Sequence, residues 1–259
     1  MPRGESAGVA LPTEPQPGEP ADEDAVAAAR SVVRASRILS AEGLVEAFGH
    51  VSARLSRTRF VLTPRKGLSS VSPDDLLHVE VRFGAAPTVE VVRGDPAALP
   101  VEAVIHAAVY MARPEVGGIV RDHGEASTVL GITGAPLRPI HALGAIGPAV
   151  VPVLDTPRLV ADWSAGEQLA RTLGGASALL LRGNGRVVVG SSVEEACARA
   201  ILLEESARIQ LAARSAGLEP RYLTAEEMED AVRDLANPGQ VKRVWDHYCA
   251  KHGVDDATA

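Results

Sequence analysis

Apolar residues recur near helical spacing from Asp24 onward, at Val26, Ala29, Val33 and Leu39, and the pattern stops at Gly43, where a left-handed residue is easiest. This predicts a first helix. Short apolar-rich runs follow at 51–55, 59–63, 76–83 and 88–92, separated by Pro64, Gly67, Pro73 and Asp74. Runs of that length between turn formers predict strands, and four in succession predict a meander. The second half alternates: helix 101–113, strand 117–123, a short helix to about Ile132, strand 150–154, helix 165–173, strands 177–182 and 186–190, then a long helix 193–216. Helices alternating with strands predict an α/β chain in which helices stand outside a mixed sheet. Two more helical stretches, 224–236 and 241–252, are broken by Pro238 and Gly239 and make a C-terminal helical extension over 221–259.

Residues 1–22 carry Pro2, Pro12, Pro15, Pro17 and Pro20 among Gly, Ser and Glu, a composition that cannot offset its ordering entropy. They predict a disordered tail, leaving 23–220 as the main folded domain. A net charge of -7 with 3% aromatic residues argues against nucleic acid as a partner and points to a small molecule. Cys197 and Cys249 are too few for a disulfide framework or a multi-thiolate zinc site. No apolar run reaches membrane-spanning length and no apolar leader follows the start, so the cytoplasm is the expected compartment.

Glu102 and His106 stand four apart on a predicted helix and share a face. Arg121 and His123 stand two apart on the next strand and share a face, while Asp122 points to the other. A carboxylate and imidazoles meeting there would make an acid/base pair or a metal site; the plain alternative is an exposed helical pair and a strand-end histidine. Glycine-containing loops at 49–54, 63–67 and 182–185 bring His50, Ser52, Arg65, Lys66, Arg182 and Asn184 into play. With Arg121 and Arg138, these cations form either a carboxylate pocket or a set of solvated surface charges.

The ordered series GHVSAR, LTPRKG, SPDDLLHVEV, PVEAVIHAAVYMARPEVGGIVRDH and LLLRGNGRVVVG, ending in EEACARAILLEE, resembles the class II aldolase/adducin family over about residues 26–217. The resemblance implies a three-layer α/β/α fold, a homotetramer and an active site at a subunit boundary. It places the family's acid/base glutamate at Glu102 and the second histidine of its H-x-H strand at His123. The first strand histidine is Arg121 here, and the histidine of the N-H-G turn is Asn184. Arginine cannot ligate a metal, so the resemblance implies an incomplete zinc site. His50, Arg65 with Lys66, and Pro100 with Val101 replace the donors that hold sugar phosphate, which points to an unphosphorylated carboxylate, possibly aromatic. This form is similar to the branch containing hydroxyaromatic acid decarboxylases and an enzyme of antibiotic assembly.

His141, in RPIHALGAIG, is a candidate replacement ligand that would give Glu102, His123 and His141 around iron, manganese or zinc. The expected function is a carbon–carbon lyase acting on a small unphosphorylated hydroxy- or keto-acid, by decarboxylation or aldol-type cleavage. In it Arg121 receives the substrate carboxylate, Glu102 or His123 moves the proton, and His50, Ser52, Arg65, Lys66, Asn184, Arg182 and His141 line the substrate. A non-haem iron oxygenase and a non-catalytic oligomeric module are the alternatives. Trp245 and Tyr248 are the expected anchors of subunit contact.

Overall fold

A computed structural model of the chain describes residues 22–84 and 86–254. The expected tail lies outside these residues except for Asp22, which begins helix α1 (Asp22–Ala41). The first half is the expected meander: β1 (His50–Arg54), β2 (Arg59–Leu62), β3 (Leu77–Arg82) and β4 (Thr88–Arg93) pair consecutively and antiparallel. Then come α2 (Ala103–Ala112), β5 (Gly118–Asp122), α3 (Glu125–Thr133), β6 (Val153–Leu154), α4 (Trp163–Leu173), β7 (Ala178–Leu181), β8 (Arg186–Gly190) and α5 (Val193–Ser215). The eight strands form one sheet in the order β4-β3-β2-β1-β5-β8-β7-β6, mixed because β6 and β7 run parallel.

Alternation along each strand sends side chains to two separate cores. Val51, Val61, Val120, Leu180 and Val188 pack with α1, α3 and α5. Phe60, Leu62, Ile119, Leu179, Val187 and Val189 pack with α2 and α4. Helices therefore cover both faces, giving three α/β/α layers.

Local chemistry sets the helix starts. Ser192 and Asp162 accept hydrogen bonds from the backbone of Glu195 and Ala165, capping α5 and α4. Glu102 occupies the same position before α2 without using its side chain as a cap. Its carboxylate is left available for other partners. The helix expected from residue 101 begins at Ala103, because residues 100–102 form the preceding turn and Ala103 N–H reaches back to Pro100 O at 3.0 Å. The strand expected at 150–154 keeps two residues, since Pro152 has no N–H to give a ladder.

The C-terminal extension forms α6 (Ala225–Leu235) and α7 (Pro238–His252). Trp245, 8% exposed, packs into the core shared by α1 and α5, with Tyr248 against it. Trp245 is thus used within the chain, while Tyr248 stays half-buried.

Candidate active site

Two glycine turns bring separate parts of the chain against the end of β5. Gly49 has φ +140, and a Cβ there would stand 2.6 Å from Val45 Cγ1 and 3.0 Å from the Arg121 carbonyl oxygen. Gly185 has φ +67, and its Cβ would meet the Asp122 carbonyl oxygen at 2.1 Å. Only glycine lets both loops close this tightly.

The β1–β5 register sets His50 directly opposite Arg121 and Ser52 opposite Ile119, all facing α2. Arg121, fully buried, places Nη2 3.2 Å from Glu102 Oε2. Glu102 Oε1 accepts from the Val160 backbone at 3.3 Å and from Asn184 Nδ2 at 3.5 Å. The carboxylate is thereby fixed between a cation and two neutral donors. Arg121 Nη1 donates to the Asp122 carbonyl at 2.9 Å, while Nε has no hydrogen-bond acceptor among the described residues.

Behind this pair lies a polar chain in an apolar wall. Every residue from Ala103 to Tyr110 is buried, so His106 sits inside the α2 layer. Ser52 Oγ lies 2.7 Å from His106 Nδ1 and 2.8 Å from Tyr110 Oη. Ser52, expected at the substrate, is fully buried behind it.

Burial pushes the His50 imidazole down to about 3, helped by the charge of Arg121 and by His123. Burial also holds His106 well below the usual range, with His50 and Arg121 adding to it. His123 is lowered by burial and then by Arg121, against smaller opposing effects of Glu102, Asn184 and the Phe48 backbone. All three are neutral imidazoles at pH 7.

His50 and Glu102 open onto a cleft of about 460 Å³, walled by Arg65 and Lys66 and by exposed Phe48, Val101 and Leu159. His123 lines an adjoining cleft of about 320 Å³ on the far side of the 43–48 loop, and its backbone N–H donates to Leu44 O at 2.9 Å.

The remaining expected residues divide. Lys66 Nζ is spoken for by Asp75 Oδ2 at 2.8 Å, whereas Arg65 is an exposed cation that also donates to Ala97 O. Arg182 pairs with Asp155, and Arg138 lies 4.4 Å over the Tyr222 ring; neither lines the cleft. His141 precedes a 3₁₀ turn (Ala142–Ile146) that packs on α5 and α6, across the sheet from α2. Among the described residues, no three of His, Cys, Asp and Glu gather to hold a metal ion. Arg121 has no lone pair to offer and brings a positive charge beside Glu102. This donor set does not fit a divalent metal.

Sequence reasoning passed over a second buried charge system. Asp122 and Arg186 are register partners facing α5, with Arg186 Nε 2.8 Å from Asp122 Oδ1. Arg186 Nη1 lies 2.7 Å from Ser127 Oγ and 3.3 Å from Glu204 Oε2, and Nη2 donates to Ala200 O at 2.6 Å. Glu204 also accepts from the backbone of Ala126 at 2.8 Å, which fixes the start of α3 beside His123. The available signal was a charge set inside an apolar run, Arg186 before VVVG and Glu204 after AILL.

A mixed sheet lies between helical layers, with a buried glutamate just before α2 and two glycine turns closing against β5. The family description "Class II Aldolase and Adducin N-terminal domain" matches residues 30–211, and the chain belongs to that family. The 3,4-dihydroxyphthalate decarboxylase of Terrabacter sp. is 32% identical, covering 86% of this chain and 95% of its own. Decarboxylase tropJ of Talaromyces stipitatus is 34% identical, covering 70% and 74%. In structure, the L-fuculose 1-phosphate aldolase from Glaciozyma antarctica superposes with a TM-score of 0.75 at 21% identity, covering 93% and 95%, a likeness of fold.

Proposed function

We propose that the chain is a decarboxylase of a small unphosphorylated hydroxy- or keto-carboxylic acid, with an aromatic acid as the best candidate. The observation that carries this reading is the buried Glu102–Arg121 pair at the inner end of a cleft whose outer walls are apolar and cationic. The relatives named as decarboxylases support it, one of them acting on a dihydroxyphthalate by its name.

In this reading Arg65, the exposed cation of the cleft, meets the substrate carboxylate, and Phe48, Val101 and Leu159 hold the apolar body. The carbon–carboxylate bond breaks, carbon dioxide leaves, and the bonding pair stays on the carbon framework, spread onto an adjacent oxygen. That carbon then takes a proton. The proton comes from water entering the cleft, and Glu102, whose carboxylate opens onto the cleft beside Arg121, is positioned to take it from water and pass it to the carbon, with His123 in the adjoining cleft the second group able to relay it. Arg121 holds Glu102 through Nη2 and does not receive the substrate carboxylate, because it is fully buried. A carboxylate with two imidazoles for iron is not gathered among the described residues, so nothing favours the oxygenase alternative.

The same reading makes the chain a homotetramer whose neighbour covers the rim of the cleft; three large apolar side chains exposed at one opening support this. Cys197 is a buried thiol outside any disulfide among the described residues, in keeping with the reducing cytoplasm. The test is carbon dioxide release from a panel of hydroxybenzoic, dihydroxyphthalic and arylpyruvic acids set against phosphorylated sugar acids. Release confined to the unphosphorylated group is the expected result.

A further inference from the structure

Five buried nitrogens on neighbouring side chains have no hydrogen-bond partner among the described residues: His50 Nδ1, His106 Nε2, His123 Nδ1, Arg121 Nε and Arg121 Nη2, the last of them ion-paired with Glu102. They belong together. His50 and Arg121 oppose each other across β1 and β5, the His50 and His106 rings lie 5.8 Å apart, and His106 stands one turn below Glu102 on α2. Unpaired polar atoms are rare inside proteins, and where they cluster beside a cleft they call for a ligand or water.

The proton positions in the chain behind them can be worked out. Among the described residues Tyr110 Oη, fully enclosed, has one acceptor for its proton, Ser52 Oγ. Ser52 then gives its own proton to His106 Nδ1. A neutral imidazole accepting at Nδ1 carries its hydrogen on Nε2. The reverse arrangement strands the phenolic proton in an apolar wall, which disfavours it by roughly 5- to 150-fold. His106 therefore carries an N–H with no partner among the described residues, as Arg121 does at Nε.

We propose that His106 Nε2–H and Arg121 Nε–H form an oxyanion site, reached from the cleft past His50 and Glu102, for the substrate oxygen that collects negative charge as carbon dioxide departs. Ser52 and Tyr110 are positioning residues that set the tautomer. Fixed donors aimed at developing charge supply what a Lewis-acidic metal supplies elsewhere. The nature of the charged oxygen rests on the decarboxylase reading; the tautomer and the donor site do not.

The experiment is ¹⁵N NMR of the ring nitrogens in the wild-type protein, joined to visible titration of bound 4-nitrocatechol as a phenolate probe. The expected result is His106 protonated on Nε2, with Y110F releasing the second tautomer. Bound nitrocatechol should ionise at least one pH unit below the free probe in wild type and near the free value in H106N. H106Q, whose amide N–H reaches the Nε2 position, should restore part of the shift. Turnover, once a substrate is in hand, should fall about 10²- to 10³-fold in H106N. A wild-type His106 protonated on Nδ1 overturns the proposal even if no variant folds. So does a probe that ionises alike in wild type and H106N, which would mean that the region holds water only.

Discussion

Arg121 Nη2 stands 3.2 Å from Glu102 Oε2 with both side chains buried, so a strand residue and a helix-start residue share one electrostatic unit. That changes what each substitution should do. Removing one partner of a buried pair leaves the other uncompensated, at a cost of about 3–5 kcal/mol. Arg121→Ala should therefore lose stability in urea unfolding as well as activity. Arg65→Ala, at an exposed cation, should leave stability unchanged and raise KM roughly 10- to 100-fold with kcat nearly constant, the signature of lost carboxylate binding.

The metal prediction follows from the donors. Activity should survive exhaustive chelation, and the double substitution Arg121→His with Asn184→His should raise zinc affinity, read by titration with zinc alone. One tightly held zinc per chain in the native protein would show that the donor set has been misjudged.

Much of this arrangement was legible in the sequence. Period-two alternation put Arg121 on one face of β5 and Asp122 on the other, and the pairing with Glu102 and with Arg186 bears that out. The meander, the long α5 and both C-terminal helices followed from apolar spacing and from Gly and Pro breaks. What spacing cannot give is partnership across the chain. Ser52 finds His106 54 residues away, and Glu204 reaches Ser127 77 residues away, each decided by sheet order and helix packing. His141 shows the converse: close to His123 in sequence, it precedes a turn packed on α5 and α6 and lines neither cleft.

The second buried system should be the more important for folding. Asp122 and Glu204 share Arg186, and burial raises the Asp122 carboxyl against the pull of that arginine. Asp122→Ala should cost about 3–5 kcal/mol by urea unfolding. A loss under 1 kcal/mol would mean that water reaches the network.

Acid should weaken the fold through the histidines of the α2 face. His106 is held well below its ordinary 6.5, so below that pH the unfolded chain takes up a proton that the folded one refuses. Stability from this group is complete above pH 6.5 and is lost as the pH falls, by about 1.4 kcal/mol per unit. His50, lowered to about 3, acts in the same direction between 6.5 and 3. H106Q should flatten the decline between pH 6 and 4.5 by about that slope for one group; an unchanged slope would place the His106 proton uptake elsewhere.

The most direct measurement is ¹³C detection of carbon dioxide released from carboxyl-labelled 3,4-dihydroxyphthalate by wild type and by Glu102→Gln. Wild type should release it, and the variant, still folded, should fall by about 10²- to 10⁴-fold, the usual span for an acid/base group. His123→Ala should fall within the same span if it shares the proton transfer. Release at the wild-type rate from folded Glu102→Gln, or none from wild type with this or any acid of the panel, would contradict the proposed function.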